Sequence, residues 1–392
     1  MGQSIPEYTV DIFSHDSVRN ARAVDDALRE FSPVVRLPDG TVLITRHADV
    51  TAGLADWQSF SSRSRPWHDP NSLRPEILLT DDPPRHTHVR QVISKALSNQ
   101  VLGNLRSSFE RDVAVLFDDL MSREGEVIDA VHDITQRFVY KALPDAIGLK
   151  VEGREHMYAL GHMVWATMGP ANELFREAMV DLDPVLAWIE QCCDRDNLVP
   201  GGIGMVLYGM ADEGIVTQQE AKLLLQTVLS AGADTTIMTM ANAMYAFAKF
   251  PDQYLRLRQD TGLVRAAFDE SLRWDSPSRM AGRITTREVS IEGYTVPAEQ
   301  RVGLMFAAAN RDPRAWESPD RYDMSRDLKR QVGWGYGVHA CVGRVLAQME
   351  AHVLLSELAR RAARIEIAAE PTPWMTTIGH GPAKLPLRLY AQ

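Results

Sequence analysis

Gly333-Trp334-Gly335-Tyr336-Gly337-Val338-His339-Ala340-Cys341-Val342-Gly343 is the stretch that decides what this chain can be. It runs straight into Arg344-Val345-Leu346-Ala347-Gln348-Met349-Glu350, which predicts a helix. Glycines at this density allow turns that a Cβ forbids and let the backbone come close to a flat partner. Cys341 stands just ahead of the expected helix N-terminus, where exposed N–H groups and the helix dipole favour a thiolate. His339 adds a basic side chain two positions earlier. These features suit a thiolate that binds a metal from one side. Taken without its frame, a single cysteine is more often a small buried hydrophobe. A cysteine nucleophile needs a histidine base oriented by a third group, and spacing does not supply that pairing.

Upstream, Thr217-Gln218-Gln219-Glu220 is a capping-box signature, and no proline follows before Pro251. The pattern predicts one helix through to Phe250, roughly 50 Å long at 1.5 Å per residue. Between Leu223 and Ala248 the only charged residue is Asp234. Gln226, Thr227, Ser230, Thr235, Thr236, Thr239 and Asn242 break up the apolar run, which predicts a buried core helix rather than a membrane span. A carboxylate in a core is costly unless it is paired. Asp234 therefore needs a distant Arg or Lys, or a function. Gly232 removes a side chain one turn ahead of Thr235, whose hydroxyl can bond back to a carbonyl and open the helix locally. Together they predict a groove with an acid and an alcohol at its edge.

Two further constellations are weaker alone. Glu270-Ser271-Leu272-Arg273 places opposite charges at i and i+3, a pairing that is commonly just a solvated bridge. Asp82-Pro83-Pro84-Arg85-His86-Thr87-His88-Val89-Arg90 opens a helix after two prolines, with His86 and Arg90 sharing a face. His86 and His88 are two apart and diverge on a helix, which makes them a poor metal pair.

A net charge of −10 argues against a nucleic-acid surface. With 45% apolar residues in 392, the chain can bury a large core. Met1 to Phe13 has no apolar run of signal-peptide or anchor length, and three cysteines offer no disulfide framework. A cytoplasmic protein without a membrane segment is expected. Short strands are predicted at Val34–Leu37 and Thr41–Thr45, joined by a Pro38-Asp39-Gly40 turn. A Pro-, Arg- and Ser-rich loop follows over Ser61–Pro75. Helix should dominate from Arg85 to Trp274, broken at Pro200-Gly201-Gly202. Strand and turn are expected from Ile284 to Val296, irregular chain from Pro313 to Arg330, and a strand near Leu385–Leu389. No linker divides the chain, so one domain over residues 1–392 is expected: mainly α with small β-sheets.

The cysteine stretch resembles the haem-thiolate loop of the cytochromes P450, an aromatic followed by Gly-x-Gly-x-His-x-Cys-x-Gly and Ala-x-x-Glu. Trp334 stands where that family usually has Phe, and Gln348 where Arg is common. The resemblance covers essentially the whole chain. It implies a single triangular haem-thiolate domain with haem b (iron-protoporphyrin IX) and Cys341 as the axial metal ligand. It assigns His86, Arg90, Arg283 and His339 to the haem propionates, and Asp234 and Thr235 to proton delivery as O2 is cleaved. It makes Glu270 and Arg273 a buried structural lock, with Arg321 as its third member.

Among soluble bacterial members, the chain is similar to the group that oxidises para-substituted benzoates and methoxyarenes. The similar stretches include Gly148-Leu149-Lys150, Gly169-Pro170-Ala171-Asn172-Glu173-Leu174 and Ser230-Ala231-Gly232. That resemblance places Trp165, Met168, Gln226, Thr227, Ser230, Ser278 and Ala281 at substrate-binding positions. An Arg and a Ser that help the group hold a carboxylate are Gln226 and Thr227 here. A carboxylate without a cation is held less well, so a neutral phenol or aryl ether gains over a benzoate, with Arg279 as a candidate compensating cation. The expected activity is hydroxylation or O-demethylation of a small aromatic substrate with O2. No flavin or iron–sulfur module is present, so electrons are expected from a ferredoxin with its NAD(P)H-dependent reductase, docked near Arg344 and Lys329. The other classes are a haem-thiolate peroxygenase or isomerase, and a haem protein that binds ligand without turnover. Retention of both Asp234 and Thr235 weighs against these two.

Overall fold

Pro38-Asp39-Gly40 does form the first hairpin turn, with Gly40 at φ +84° and the Thr41 amide donating to Asp39 Oδ1 at 2.9 Å. The structure is a computed structural model, and it describes residues 3–63, 76–180 and 182–391. The hairpin strands Val34–Arg36 and Val42–Ile44 pair antiparallel. They extend into a five-stranded sheet whose order continues Arg301–Met305, Met280–Thr285 and Phe60–Ser61. Val42–Ile44 runs parallel to Arg301–Met305, which in turn pairs antiparallel with Met280–Thr285. Beyond Arg63, the expected Ser61–Pro75 loop lies outside the described residues.

Helix dominates from Arg85 to Trp274, with Gly201 at φ +89° in the predicted break. One strand interrupts it. Val127–Asp129 pairs with Pro386–Ala391, which also takes Ala362–Ile367. That partner is far away in the chain, so local pattern could not reveal it. Val289–Ile291 and Tyr294–Val296 form the small ribbon expected before Val296.

The helix expected to run unbroken from Thr217 to Phe250 is two helices, Gln218–Gly232 and Asp234–Lys249. The capping box at Thr217 and Glu220 forms as predicted. At Ala233 ψ swings to −68°, and hydroxyls serve the carbonyls around the break. Thr235 Oγ1 donates to Ala231 O and Thr236 Oγ1 to Gly232 O, both at 3.0 Å. Gly232 does not open the predicted groove: a Cβ there would lie 3.1 Å from the Leu143 side chain. Its role is to let the Arg137–Ile147 helix pack closely. Asp234–Lys249 lies on Val264–Trp274, and Arg344–Arg361 on both Val264–Trp274 and Arg106–Ser122. The cysteine loop and the break at Ala233 thus belong to one helical core.

Candidate active site

The cysteine loop closes on itself before its helix begins. The Cys341 amide donates to Trp334 O at 2.7 Å. Gly337 has φ +64°, and a Cβ on it would sit 2.6 Å from Leu54 O. The glycine therefore presses the loop against the His47–Ala55 helix. Cys341 Sγ accepts the backbone N–H groups of Gly343 and Arg344, the first amides of Arg344–Arg361. Burial pushes the thiol's pKa up, while these N–H groups and the Arg90 and Arg344 cations pull it back towards the thiolate.

Asp269 beneath this loop was not anticipated from sequence. Its carboxylate accepts Trp334 Nε1 at 2.7 Å, Gln348 Nε2 at 3.3 Å and Arg344 Nη2 at 3.2 Å. The two departures from the usual loop pattern, Trp334 and Gln348, therefore meet on one acid, because each brings an N–H donor. Arg344 also lies over the Trp334 ring at 5.3 Å, with its side chain still 41% exposed.

Four basic side chains from three elements converge beside Cys341. His86 and Arg90 come from the Arg85–Ala96 helix, Arg283 from the Met280–Thr285 strand and His339 from the loop. The His86 and His339 rings lie 4.4 Å apart. Burial, with Arg283, His86 and Arg90 adding to it, lowers the His339 pKa to about 3. Burial lowers Arg283 to about 10, partly offset by Asp82. Asp82 itself is bonded to the Ser61 hydroxyl and the Ser62 amide. Both ring nitrogens of His86 are buried and lack any partner. An unsatisfied buried imidazole beside two arginines describes a place built for an anion.

Asp234 is 4% exposed. Tyr140 Oη donates to its Oδ1 at 3.2 Å, and Trp165 supplies a further hydrogen bond. On the other side is Gly161, where a Cβ would come within 2.0 Å of Asp234 Oδ2. Burial raises the Asp234 pKa to about 7 against the weaker pull of these donors. Thr235 follows at once, its hydroxyl on Ala231 O. Acid and alcohol therefore stand together at the helix break.

The chain is 38% identical to the cytochrome P450 CYP199A2 of Rhodopseudomonas palustris, over 99% of its own length and 95% of that protein's. The chain is a cytochrome P450. The cytochrome P450 family model matches residues 202–363, which include the acid-alcohol helix and the cysteine loop. The vitamin D(3) 25-hydroxylase of Pseudonocardia autotrophica is 28% identical over 89% of this chain and 88% of its own. Cytochrome P450 CYP109Q5 from Chondromyces apiculatus superposes with a TM-score of 0.81 at 27% identity, covering 98% of this chain and 99% of that one. CYP108D1 from Novosphingobium aromaticivorans shares the fold with a TM-score of 0.84 at 22% identity, over 97% of each chain.

Cytochromes P450 are haem-dependent monooxygenases whose haem b is bound through a cysteine thiolate. The residues present fit that group. Cys341 offers a sulfur at a helix N-terminus, and the orphaned His86 nitrogens with Arg90, Arg283 and His339 suit two carboxylates at a cofactor edge. Among the described residues, no helix is long and apolar enough to cross a membrane.

The family's Glu-x-x-Arg pair is a buried fork here. Arg273 Nε and Nη2 reach Glu270 at 2.7 and 2.8 Å, both side chains fully buried. The expected third member is corrected. Arg321 is exposed and faces Asp252 at 3.9 Å, whereas Arg326 pairs with Glu270 at 3.3 Å. Arg321 contributes its backbone carbonyl, which accepts from Arg273 and Arg326.

The positions assigned to substrate by resemblance are dispersed. Gln226 is buried with its amide nitrogen on Ile189 O at 3.1 Å and Glu190 Oε2 at 3.3 Å. Thr227 and Ser230 hydroxyls bond back to Leu223 O and Gln226 O. Trp165 packs edge-on against Trp374, 6.2 Å between centroids, and meets Gly379. An isolated bridge joins Gly379 to Ser278, so Ser278 lies in the same neighbourhood. Met168 caps the Met157–Thr167 helix, half-buried, and Ala281 pairs with Leu304 in the main sheet. Arg279 is fully buried and clamped to Asp25 at 2.6 Å. It neither faces water nor remains available to a ligand.

Proposed function

We propose that this cytochrome P450 hydroxylates or O-demethylates a small neutral aromatic, a methoxyphenol or alkylphenol rather than a benzoate. Its two electrons come from a ferredoxin and an NAD(P)H-dependent reductase. Cys341 would hold the haem iron through its thiolate, and His86, Arg90, Arg283 and His339 would hold the haem carboxylates through charge-assisted hydrogen bonds. When bound, the haem activates O2 so that one oxygen atom enters the substrate and the other leaves as water. Asp234 and Thr235 deliver the two protons this requires, positioned as general acids at the helix break. A hydroxylated methoxy carbon then leaves as formaldehyde, giving the phenol.

The observation that carries the substrate class is the engagement of Arg279 with Asp25. Lys222, one turn before Gln226, is likewise committed: it pairs with Glu190 at 2.6 Å and Asp194 at 2.8 Å. Gln226 is next to Glu190, so an arriving carboxylate would meet like charge rather than a cation. A spectral-shift titration of the haem with matched pairs tests this. 4-Methoxyphenol should bind more tightly than 4-methoxybenzoate, and product analysis with a ferredoxin system should show hydroquinone. Tighter binding of the benzoate would overturn the assignment of substrate charge.

A further inference from the structure

Asp234 is buried, yet a wide opening to solvent ends one hydrogen bond away. A surface basin of about 1060 Å³ is lined by Tyr140 and Tyr158 and edged by Asp129, His132, Asp133 and Lys384. Tyr140, on the Arg137–Ile147 helix, borders that basin and also donates to Asp234 Oδ1 at 3.2 Å. A single phenol therefore separates open water from the acid. The arrangement depends on Gly161. With no side chain there, the carboxylate can settle against the Met157–Thr167 helix within reach of Tyr140.

Tyr140 and Trp165 hydrogen-bond Asp234, and Tyr158 bears on it electrostatically. Trp165 is 6% exposed and its indole has no second proton to relay. The His162 ring, on the same helix as Trp165, is bonded to Trp374 Nε1. A phenol can accept one proton as it gives another, and Tyr140 touches both sides.

We propose that Tyr140 is the proton relay of this enzyme, passing protons from basin water to Asp234. This rests on the proposed role of Asp234 as the proton donor. After Asp234 has given its proton to the active site, the Tyr140 O–H bond breaks towards Asp234 Oδ1, and Asp234 is neutral again. In the same movement a hydronium ion or buffer acid in the basin forms a new O–H bond on Tyr140 Oη. One proton goes in for each proton used, no electrons move, and the phenol ends as it began. Burial raises the pKa of the Tyr140 phenol far above the ordinary value, so it works through concerted transfer and never as a phenolate.

Tyr140→Phe in the haem-loaded enzyme, driven by ferredoxin, reductase and NAD(P)H, tests the relay. Haem content, the carbon monoxide band and substrate spectral shifts should match wild type. Product formation should fall about tenfold or more, with a larger solvent deuterium isotope effect and more peroxide per NAD(P)H. Loss of the Tyr140 bond alone would move the alkaline limb of the pH profile and leave its plateau in place; the relay requires the plateau to fall. Ala383 also lines the basin. Ala383→Leu narrows it without touching Asp234 and should raise the isotope effect in the same direction, which keeps the test open if Tyr140→Phe loses haem. Asp234→Asn separates the two ideas. If it is impaired while Tyr140→Phe and Ala383→Leu keep normal rate, coupling and isotope effect, the relay is wrong and Asp234 stands. If Asp234→Asn itself is normal, the role of Asp234 fails and the relay with it.

Discussion

Adding one methyl group at Gly161 should disable proton delivery without replacing either proposed proton donor. In Gly161→Ala the new Cβ would lie 2.0 Å from Asp234 Oδ2 and 2.7 Å from its Cγ, where ordinary contact begins near 3.4 Å. The carboxylate must retreat by roughly 1.4 Å if the helices hold. Tyr140 Oη, now 3.2 Å from Oδ1, would pass beyond hydrogen-bonding range. Overpacking of this kind costs about 1–3 kcal/mol of stability, and the lost bond adds about 1 kcal/mol. Thermal unfolding should shift down by several degrees. The functional loss should be larger, up to about 10²-fold in product formation, the scale of a lost acid–base group. In the wild type, burial raises Asp234 from 3.8 to about 7, so the protonated donor prevails below neutral pH. Its neutral form stabilises the fold at low pH, and that contribution is lost as pH rises through 7. Coupling of NAD(P)H to product should likewise decline through pH 7 in wild type and become flat in Gly161→Ala. The assay is product, peroxide and NAD(P)H measured together between pH 6 and pH 8.5. A stable Gly161→Ala enzyme with wild-type coupling and pH profile would refute the reasoning.

Other perturbations probe separate parts of the site. Reduced enzyme with carbon monoxide should show the thiolate-type band; Cys341→Ala should lose it, and Cys192→Ala and Cys193→Ala should retain it. Thr235→Ala should keep haem and substrate affinity but divert reducing equivalents to peroxide, measurable as peroxide per NAD(P)H. Arg326→Ala removes an ion partner of fully buried Glu270 and should cost about 1–3 kcal/mol in denaturant unfolding. Exposed Arg321→Ala should stay within about 0.5 kcal/mol. Gln226→Arg alone should not recruit benzoates, because Glu190 would claim the new cation; Gln226→Arg with Glu190→Gln should improve 4-methoxybenzoate binding in a spectral titration.

Much of the site was legible in linear order because its chemistry is local. The cysteine, its glycines and the helix behind it are contiguous, so their mutual placement follows from backbone rules over a dozen residues. Asp234 next to Thr235 in an apolar helix was conspicuous for the same reason: one charge in a buried run demands an explanation. Glu270 and Arg273 also pair within one helical turn. Where the reading failed, the missing partner was distant. Arg321 was expected from sequence, and only the path of the irregular chain brings Arg326 to Glu270 instead. Gly232 looked like a groove and is a packing contact with Leu143. The expected single helix divides at Ala233 because hydroxyls of Thr235 and Thr236 reach the carbonyls there.

By itself, then, the sequence determined a thiolate in a glycine frame, an acid-alcohol pair in a core helix and a buried ion-pair lock, since each is written within a few adjacent residues. Tertiary structure alone decided what those groups face. It placed Asp269 under Trp334 and Gln348, buried Arg279 on Asp25, and set Gly161 and Tyr140 against Asp234. Charge pairing and desolvation depend on distances of a few ångströms between side chains from different elements. No local pattern encodes those distances; they arise only when the helices pack.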